Sequence, residues 1–338
     1  MSTLEATASK ITDQPIIDQL IEHTCAEMEE VNKLLLSRVG SHVEMVPQIS
    51  NYLISAGGKR LRPMLTVAAA LMFAPKDQQH ISYAAAIEFM HTATLLHDDV
   101  VDESDKRRGQ QAPRKIWGNA ASVLVGDFLL GQAFMMMVEA GNLEALGILS
   151  RSAAIIAEGE VFQLSIAKDF NTKIDDYFEV VKAKTAALFE AATEVGAMAG
   201  GANSAERAAL KTYGAQLGIA FQLVDDALDY GGMSGTIGKN VGDDLREGKM
   251  TLPILHALQN AADADAQFVR DNLGDQGANQ ATVEKVVGIL LSCGALKTTL
   301  NRAREHANLA KAALEPLATR NGAQILIEIA DYCVERAA

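Results

Sequence analysis

Two aspartate clusters, Asp98-Asp99-Val100-Val101-Asp102 and Asp225-Asp226-Ala227-Leu228-Asp229, stand far apart in a chain of 338 residues and share one spacing, Asp-Asp-x-x-Asp. On an α-helix each residue advances about 100°, so the first, second and fifth positions fall within an arc of roughly 100° and aim three carboxylates one way. Like charges packed so closely are costly unless a cation arrives. Carboxylate oxygens suit Mg²⁺, which keeps waters and completes its shell with substrate phosphates. Either cluster alone could be a solvated acidic helix face. The matched pair, set in Leu95-Leu96-His97 and Phe221-Gln222-Leu223-Val224, points instead to a diphosphate held through metal ions.

Basic residues are fewer, so their grouping carries weight. In Gly57-Gly58-Lys59-Arg60-Leu61-Arg62-Pro63, paired glycines free the backbone and three cations lie within four residues. This has the makings of an anion clamp: Lys supplies a point charge, Arg a planar fork, and a glycine turn before a helix adds N–H donors. A solvated basic turn is the plain alternative. Arg107-Arg108 follows Asp102 at a distance that allows it to grip the same diphosphate. Lys184-Thr185 lies mid-helix in an apolar stretch and Gln222 just precedes the second cluster; both could be ordinary surface. Beyond Asp229 the segment from Gly231 to Lys239 holds four glycines, followed by Asp243-Asp244 and Lys249, which fits a mobile loop whose lysines close over bound phosphates. His91 lies about two turns before Asp98 on nearly the same face, whereas His97 reads as structural.

Such residues must be mounted on something long and rigid. Apolar residues recur at helical spacing almost everywhere, as in Leu210, Tyr213, Leu217, Phe221, Val224 and Leu228, and strand-like alternation is absent. The stretches Tyr83–Asp102, Ala120–Ala140, Ile148–Ala167 and Asp175–Ala199 predict long packed helices and an all-α fold. With 49% hydrophobic residues and only 7 Pro, the chain has material for a large core. No linker divides it, so a single domain over residues 1–338 is expected, its first fourteen or so residues disordered. The polar stretch from Asp263 to Glu284 reads as a loop between helices. A net charge of −13 argues against nucleic acid. Cys25, Cys293 and Cys333 form no Cys-x-x-Cys pair, so neither a disulfide framework nor a zinc site is indicated. The N-terminus has no secretory pattern, and no stretch reaches the roughly 20 apolar residues of a membrane span. A cytoplasmic protein with at most peripheral membrane contact is expected.

Taken in order, Gly57 to Pro63, Leu95 to Gly109, Lys184-Thr185, Phe221-Gln222 and Asp225 to Asp229 resemble the motifs of the trans-type polyprenyl diphosphate synthases, over about residues 15 to 335. The resemblance implies an all-α isoprenoid synthase fold around a deep cavity, a homodimer, and an enzyme that extends an allylic diphosphate (geranyl, farnesyl or geranylgeranyl) with isopentenyl diphosphate. It further implies three Mg²⁺ ions, replaceable by Mn²⁺, on Asp98, Asp99, Asp102 and Asp225, with Asp226 and Asp229 assisting directly or through waters. Arg107, Lys184, Thr185, Gln222 and Lys239 match positions at the allylic diphosphate, and Lys249 one that closes the site. Lys59, Arg62, His91 and Arg108 match those holding isopentenyl diphosphate.

Product length should follow from residues just before the first cluster, which in this family point down the cavity. Here they are Ala93 and Thr94, where short-chain members carry aromatics, so a long product is implied, octaprenyl to decaprenyl, usually for the ubiquinone tail. Small residues serving helix packing alone are the other reading. Asp127, Gly131, Phe134 and Val138 would face the tail from a second helix, with Phe134, Met135 or Met136 as floor. Rivals are a shorter-chain farnesyl or geranylgeranyl synthase, and a non-catalytic subunit, which would normally lack one cluster. A terpene cyclase would carry a second motif mixing Asn, Ser or Thr with Glu, and a di-iron bundle would need two Glu-x-x-His pairs; neither pattern is present.

Overall fold

The helical periodicities become helices throughout residues 15–55, 58–107, 109–231 and 241–336, which are those the computed structural model describes. The chain divides into two compact units, and the divisions fall inside helices rather than in linkers.

The first unit comprises the described residues of Met1–Ala153, Ala191–Lys211 and Pro316–Leu326. It contains α1 (Ile16–Arg38), α2 (Met45–Ser55), α3 (Leu61–Leu71), α4 (Gln79–Val101), the short α5 (Pro113–Trp117) and α6 (Asn119–Glu139). The first half of α4 is buried on nearly every side, from His80 through Met90, as expected of a helix with little polar surface. Toward its end only one side remains covered, which brings Asp98 and Asp102 toward solvent while Ala93, Leu96 and Asp99 stay inside. Helix α6 packs along α4 through Val125, Gly126, Leu129, Ala133, Met136 and Met137, each fully buried aliphatic side chain worth about 1.5–3 kcal/mol. Gly126 permits the approach: a Cβ there would collide with Nε2 of His97, which meets the Val123 carbonyl at 3.2 Å. His97 thus has the structural place expected of it. By length and composition α6 is apolar enough to cross a bilayer, contrary to the expectation that no stretch would be. Its apolarity serves two faces, one against α4 and one exposed.

The second unit comprises Ala154–Glu190, Thr212–Glu315 and the described part of Ile327–Ala338. Helix α7 (Leu143–Ile166) enters it, followed by α8 (Ile174–Val181) and a π-helical turn (Lys182–Ala186); α9 (Ala187–Gly200) begins in it and ends in the first unit, and α10 (Ser204–Leu228) begins in the first and ends in the second. Then come α11 (Asp243–Glu247), α12 (Leu252–Asn260), α13 (Asp263–Asn272), α14 (Gln280–Ser292), α15 (Ala295–Leu314) and α16 (Ala323–Glu335). The reading of residues 263–284 as a loop was wrong. Asp263 and Asp265 suit a helix N-terminus, Ala266 and Val269 give α13 a buried face, and the Asn279 side chain caps α14 by accepting the Thr282 N–H.

The all-α expectation holds among the described residues, apart from one hairpin of β1 (Lys106–Arg107) and β2 (Gln110–Gln111), which pair antiparallel. Two-residue strands are too short to show alternation in a sequence.

Burial holds His23, His80, His256 and His306 below the ordinary imidazole range; the Glu27 charge opposes this at His23 and His80. Unfolded histidine titrates near about 6.5, so below that pH the unfolded chain binds protons the folded chain resists. Their contribution is complete above about pH 6.5 and is lost as pH falls through the lowered folded values. Replacing both His23 and His80 with Gln should therefore raise Tm relative to the parent as pH goes from about 7.5 to about 5.5. A Tm difference that stays constant over that range would contradict it.

Candidate active site

Helix α4 ends in a left-handed turn directly after the first cluster. Glu103 takes φ +52°, and its N–H reaches the Val100 carbonyl at 3.4 Å while the Ser104 N–H reaches that of Asp99 at 3.0 Å. This is a Schellman cap with Glu where Gly is usual, at a strain of about 1–2 kcal/mol. The three carboxylates do not share one environment. Asp98 and Asp102, only about 40° apart, are half-exposed, whereas Asp99 turns inward and is fully buried. Arg107 on β1 folds back onto it, Nε and a terminal nitrogen both donating to Oδ1 at 2.8 and 2.5 Å. Burial nevertheless raises the Asp99 carboxyl above its usual range; Arg107 opposes this, and the charges of Asp98 and Asp102 add to it. The buried Oδ2 of Asp99 has no hydrogen-bond partner.

At the start of α3, Arg60 occupies the cap position at φ +48° and its guanidinium donates to the Ile54 carbonyl at 3.2 Å. Lys59 is exposed, and Arg62 meets Nε2 of His91 at 3.3 Å, so two residues placed at one diphosphate by sequence do lie together. Gly57 and Arg108 fall outside the described residues.

In the second unit, the middle aspartate is again the buried one. Asp226, 3% exposed, accepts hydrogen bonds from the Tyr177 hydroxyl at 2.5 Å and from Gln222 at 2.7 Å, and the Thr185 hydroxyl donates to Gln222 at 2.6 Å. Burial, with the Asp244 charge, pushes the Asp226 carboxyl up to about 7. Asp229 accepts the N–H groups of Asp243 and Asp244 at 3.2 and 3.1 Å, joining the end of α10 to α11; burial and Asp244 raise its pKa too. Asp225 is the open member, 42% exposed at its side chain, with Arg336 donating to it at 2.7 Å and lying over the Phe221 ring.

Lys184 stands on the π-helical turn, a feature frequent at functional sites. Two glycines let that turn fit: a Cβ on Gly159 would lie 2.6 Å from Ala183, and one on Gly218 2.6 Å from Ala186. The Lys184 ammonium donates to Glu160 at 2.9 Å and Gln163 at 3.0 Å. Lys249, after the left-handed Gly248, pairs with Glu247 at 2.5 Å. Lys239 and the segment 232–240 fall outside the described residues.

Ala93 is buried, and Thr94 donates its hydroxyl to the His91 carbonyl at 2.8 Å. On α6, Phe134 is half-buried and Met136 buried, while Met135 is 51% exposed. Asp127, Gly131 and Val138, expected to face the tail, lie on the exposed side of α6 rather than in the stripe that α4 buries.

Among the described residues no three His, Cys, Asp or Glu side chains converge on a metal position. In the first unit the donors still suit a hard cation that takes part of its shell from phosphate, with half-exposed carboxylates at Asp98 and Asp102 and a buried, unsatisfied oxygen on Asp99; in the second unit Asp225 offers a partly exposed carboxylate of the same kind. Sequence reading missed Tyr177 and Arg336, because no local spacing ties either to an aspartate 49 or 111 residues away.

Known proteins resemble this chain over most of its length. The polyprenyl synthetase family matches residues 43–290. The octaprenyl diphosphate synthase of Escherichia coli (strain K12) is 44% identical over 320 residues, covering 95% of this chain and 99% of that one. A decaprenyl diphosphate synthase from Rhodobacter capsulatus superposes with TM-score 0.91 at 44% identity, over 95% of this chain and 99% of its own. A polyprenyl synthase from Caulobacter crescentus CB15, complexed with calcium and isoprenyl diphosphate, does so with TM-score 0.90 at 47% identity, over 95% and 98%. Both aspartate clusters and the basic turn from Gly58 onward fall within the matched range, and the chain belongs to the polyprenyl synthetase family.

Proposed function

We propose that this chain extends an allylic diphosphate by successive trans condensations with isopentenyl diphosphate, ending at octaprenyl to decaprenyl diphosphate, for the ubiquinone side chain. The observation that carries the reading is a match to long-chain synthases over 95% of the chain, with both aspartate clusters intact.

Asp98, Asp99 and Asp102 in the first unit and Asp225 in the second are the carboxylates assigned to Mg²⁺; Asp226 and Asp229, already hydrogen-bonded, assist directly or through waters. Bound there, the metal would supply positive charge against diphosphate oxygens as the leaving group gains negative charge. Arg107, Lys184, Thr185, Gln222 and Lys239 are assigned to the allylic diphosphate, and Lys249 to closure. Lys59, Arg62, His91 and Arg108 are assigned to isopentenyl diphosphate. These cations stabilise charge that develops only as the allylic C–O bond breaks, which is where such groups lower a barrier. Apolar walls keep water from the allylic cation, so the double bond of isopentenyl diphosphate captures it and the proton then lost goes to the released pyrophosphate. A homodimer is part of this reading, supported by the outward apolar residues Leu124, Met135 and Val138 of α6; a single-chain mass by light scattering at micromolar concentration would contradict it. A cytoplasmic location is proposed from the cysteine pattern.

Incubation with labelled isopentenyl diphosphate, farnesyl diphosphate and Mg²⁺, then chromatography of the dephosphorylated products, tests the function. Failure to lengthen any allylic primer would sink it, and a product stopping at geranylgeranyl would favour the shorter-chain alternative. Arg62→Ala should chiefly raise the KM for isopentenyl diphosphate, by on the order of tenfold for a lost charge-assisted contact. If only the allylic KM rose, the two diphosphate sites would be interchanged.

A further inference from the structure

Hairpin β1–β2 has two residues per strand, and an isolated two-stranded hairpin is marginal in water even when longer. Its order must come from outside, and two side chains provide it. Arg114, at the second position of α5 and with a side chain only 15% exposed, donates from Nε to the Ser104 carbonyl at 2.7 Å. One of its terminal nitrogens donates to the Glu103 carbonyl and, at 2.9 Å, to Oδ1 of Asp105. The Asp105 carbonyl in turn accepts the Ala112 N–H at 2.9 Å, closing the base of the hairpin. From the other side the Tyr52 hydroxyl donates to the Gln111 carbonyl at 2.8 Å, with its ring edge-on to Trp117.

The acceptors of Arg114 are thus the carbonyls of the left-handed cap itself, at Glu103 and Ser104, where a non-glycine backbone is under strain. A planar guanidinium can serve two diverging carbonyls and a carboxylate together; an ammonium cannot do so in one geometry. On the functional reading above, we propose that Arg114 is a positioning residue: it fixes the turn after the first aspartate cluster, holds Arg107 in place through the hairpin, and thereby sets affinity for the allylic diphosphate.

The test pairs kinetics with amide hydrogen exchange on the full chain. In Arg114→Ala, the Ser104 and Ala112 amides should exchange roughly tenfold faster, the size expected from losing a charge-assisted hydrogen bond. The allylic KM should rise on the order of tenfold, as misplacement of a binding group by about 1 Å can be that costly. kcat should change less. Arg114→Lys should recover little. Adding Glu103→Gly, which relieves the strained turn, should recover much of the loss. Lys115→Ala, which removes only an exposed pair to Asp105, should leave both readouts unchanged. Unchanged exchange in Arg114→Ala overturns the proposal. So does faster exchange with an unmoved allylic KM, which would make Arg114 merely structural. A parent chain that elongates no primer sinks the functional reading instead, while the exchange measurement, needing no substrate, still decides whether Arg114 holds the turn.

Discussion

Replacing Asp98 or Asp225 with Ala is expected to lower elongation by about 10²–10³-fold or more, the usual loss when one major electrostatic stabiliser is removed. Both side chains are partly exposed, so neither change leaves a cavity, and Tm should stay close to the parent's. Asp226→Ala differs in kind. It strips a fully buried Tyr177 hydroxyl and the Gln222 amide of their acceptor, which costs about 1–3 kcal/mol for each group left unsatisfied, so it should lose Tm together with activity. The comparison separates chemistry from scaffold. Activity should also vanish in excess chelator and return with Mg²⁺ or Mn²⁺. Near-parental turnover in Asp98→Ala and Asp225→Ala, or activity untouched by chelator, would remove the metal assignment.

What the sequence revealed and what it hid divide along physical lines. Long apolar periodicities were legible because helix burial repeats every few residues, so α4, α6 and α7 were expected within about five residues of their ends, whereas Asp175–Ala199, read as one helix, is α8, a π-helical turn and α9. Helix α13 was mistaken for loop because its buried face rests on few apolar residues, Ala266 and Val269 among them, in a stretch dominated by charge. The aspartate clusters were legible as spacing, but not the rotation that buries Asp99 and Asp226: which side of a helix is covered depends on partners remote in the chain. Tyr177 with Asp226 and Arg336 with Asp225 are such partners, while Arg107, only eight residues after Asp99, reaches it because the hairpin folds back. The π-helical turn carrying Lys184 was invisible for a related reason, since Gly159 and Gly218, on other helices, leave the room it occupies.

Ala93→Phe is expected to shorten the product sharply, towards farnesyl or geranylgeranyl diphosphate, while sparing the first metal-dependent condensation. Ala93 lies five residues before Asp98 on α4, about 7.5 Å along the axis at roughly 1.5 Å per residue, which is close to the first aspartate cluster. It is only 2% exposed, so an aromatic ring placed there must displace something. If it displaced the helices around it, overpacking would cost about 1–3 kcal/mol, Tm would fall, and the chain length would be unchanged. If it entered the path of the tail, Tm would hold and elongation would stop after few additions. The proposal requires the second pattern, because the same small side chains at Ala93 and Thr94 serve packing in one reading and an open path in the other. Phe134→Ala on α6 should act oppositely and lengthen the product if that half-buried ring is the floor, whereas no change there would move the floor to the buried Met136. Product chromatography beside a thermal melt distinguishes these cases. An Ala93→Phe chain that makes the parental length at a substantial rate would mean that the tail leaves by another route.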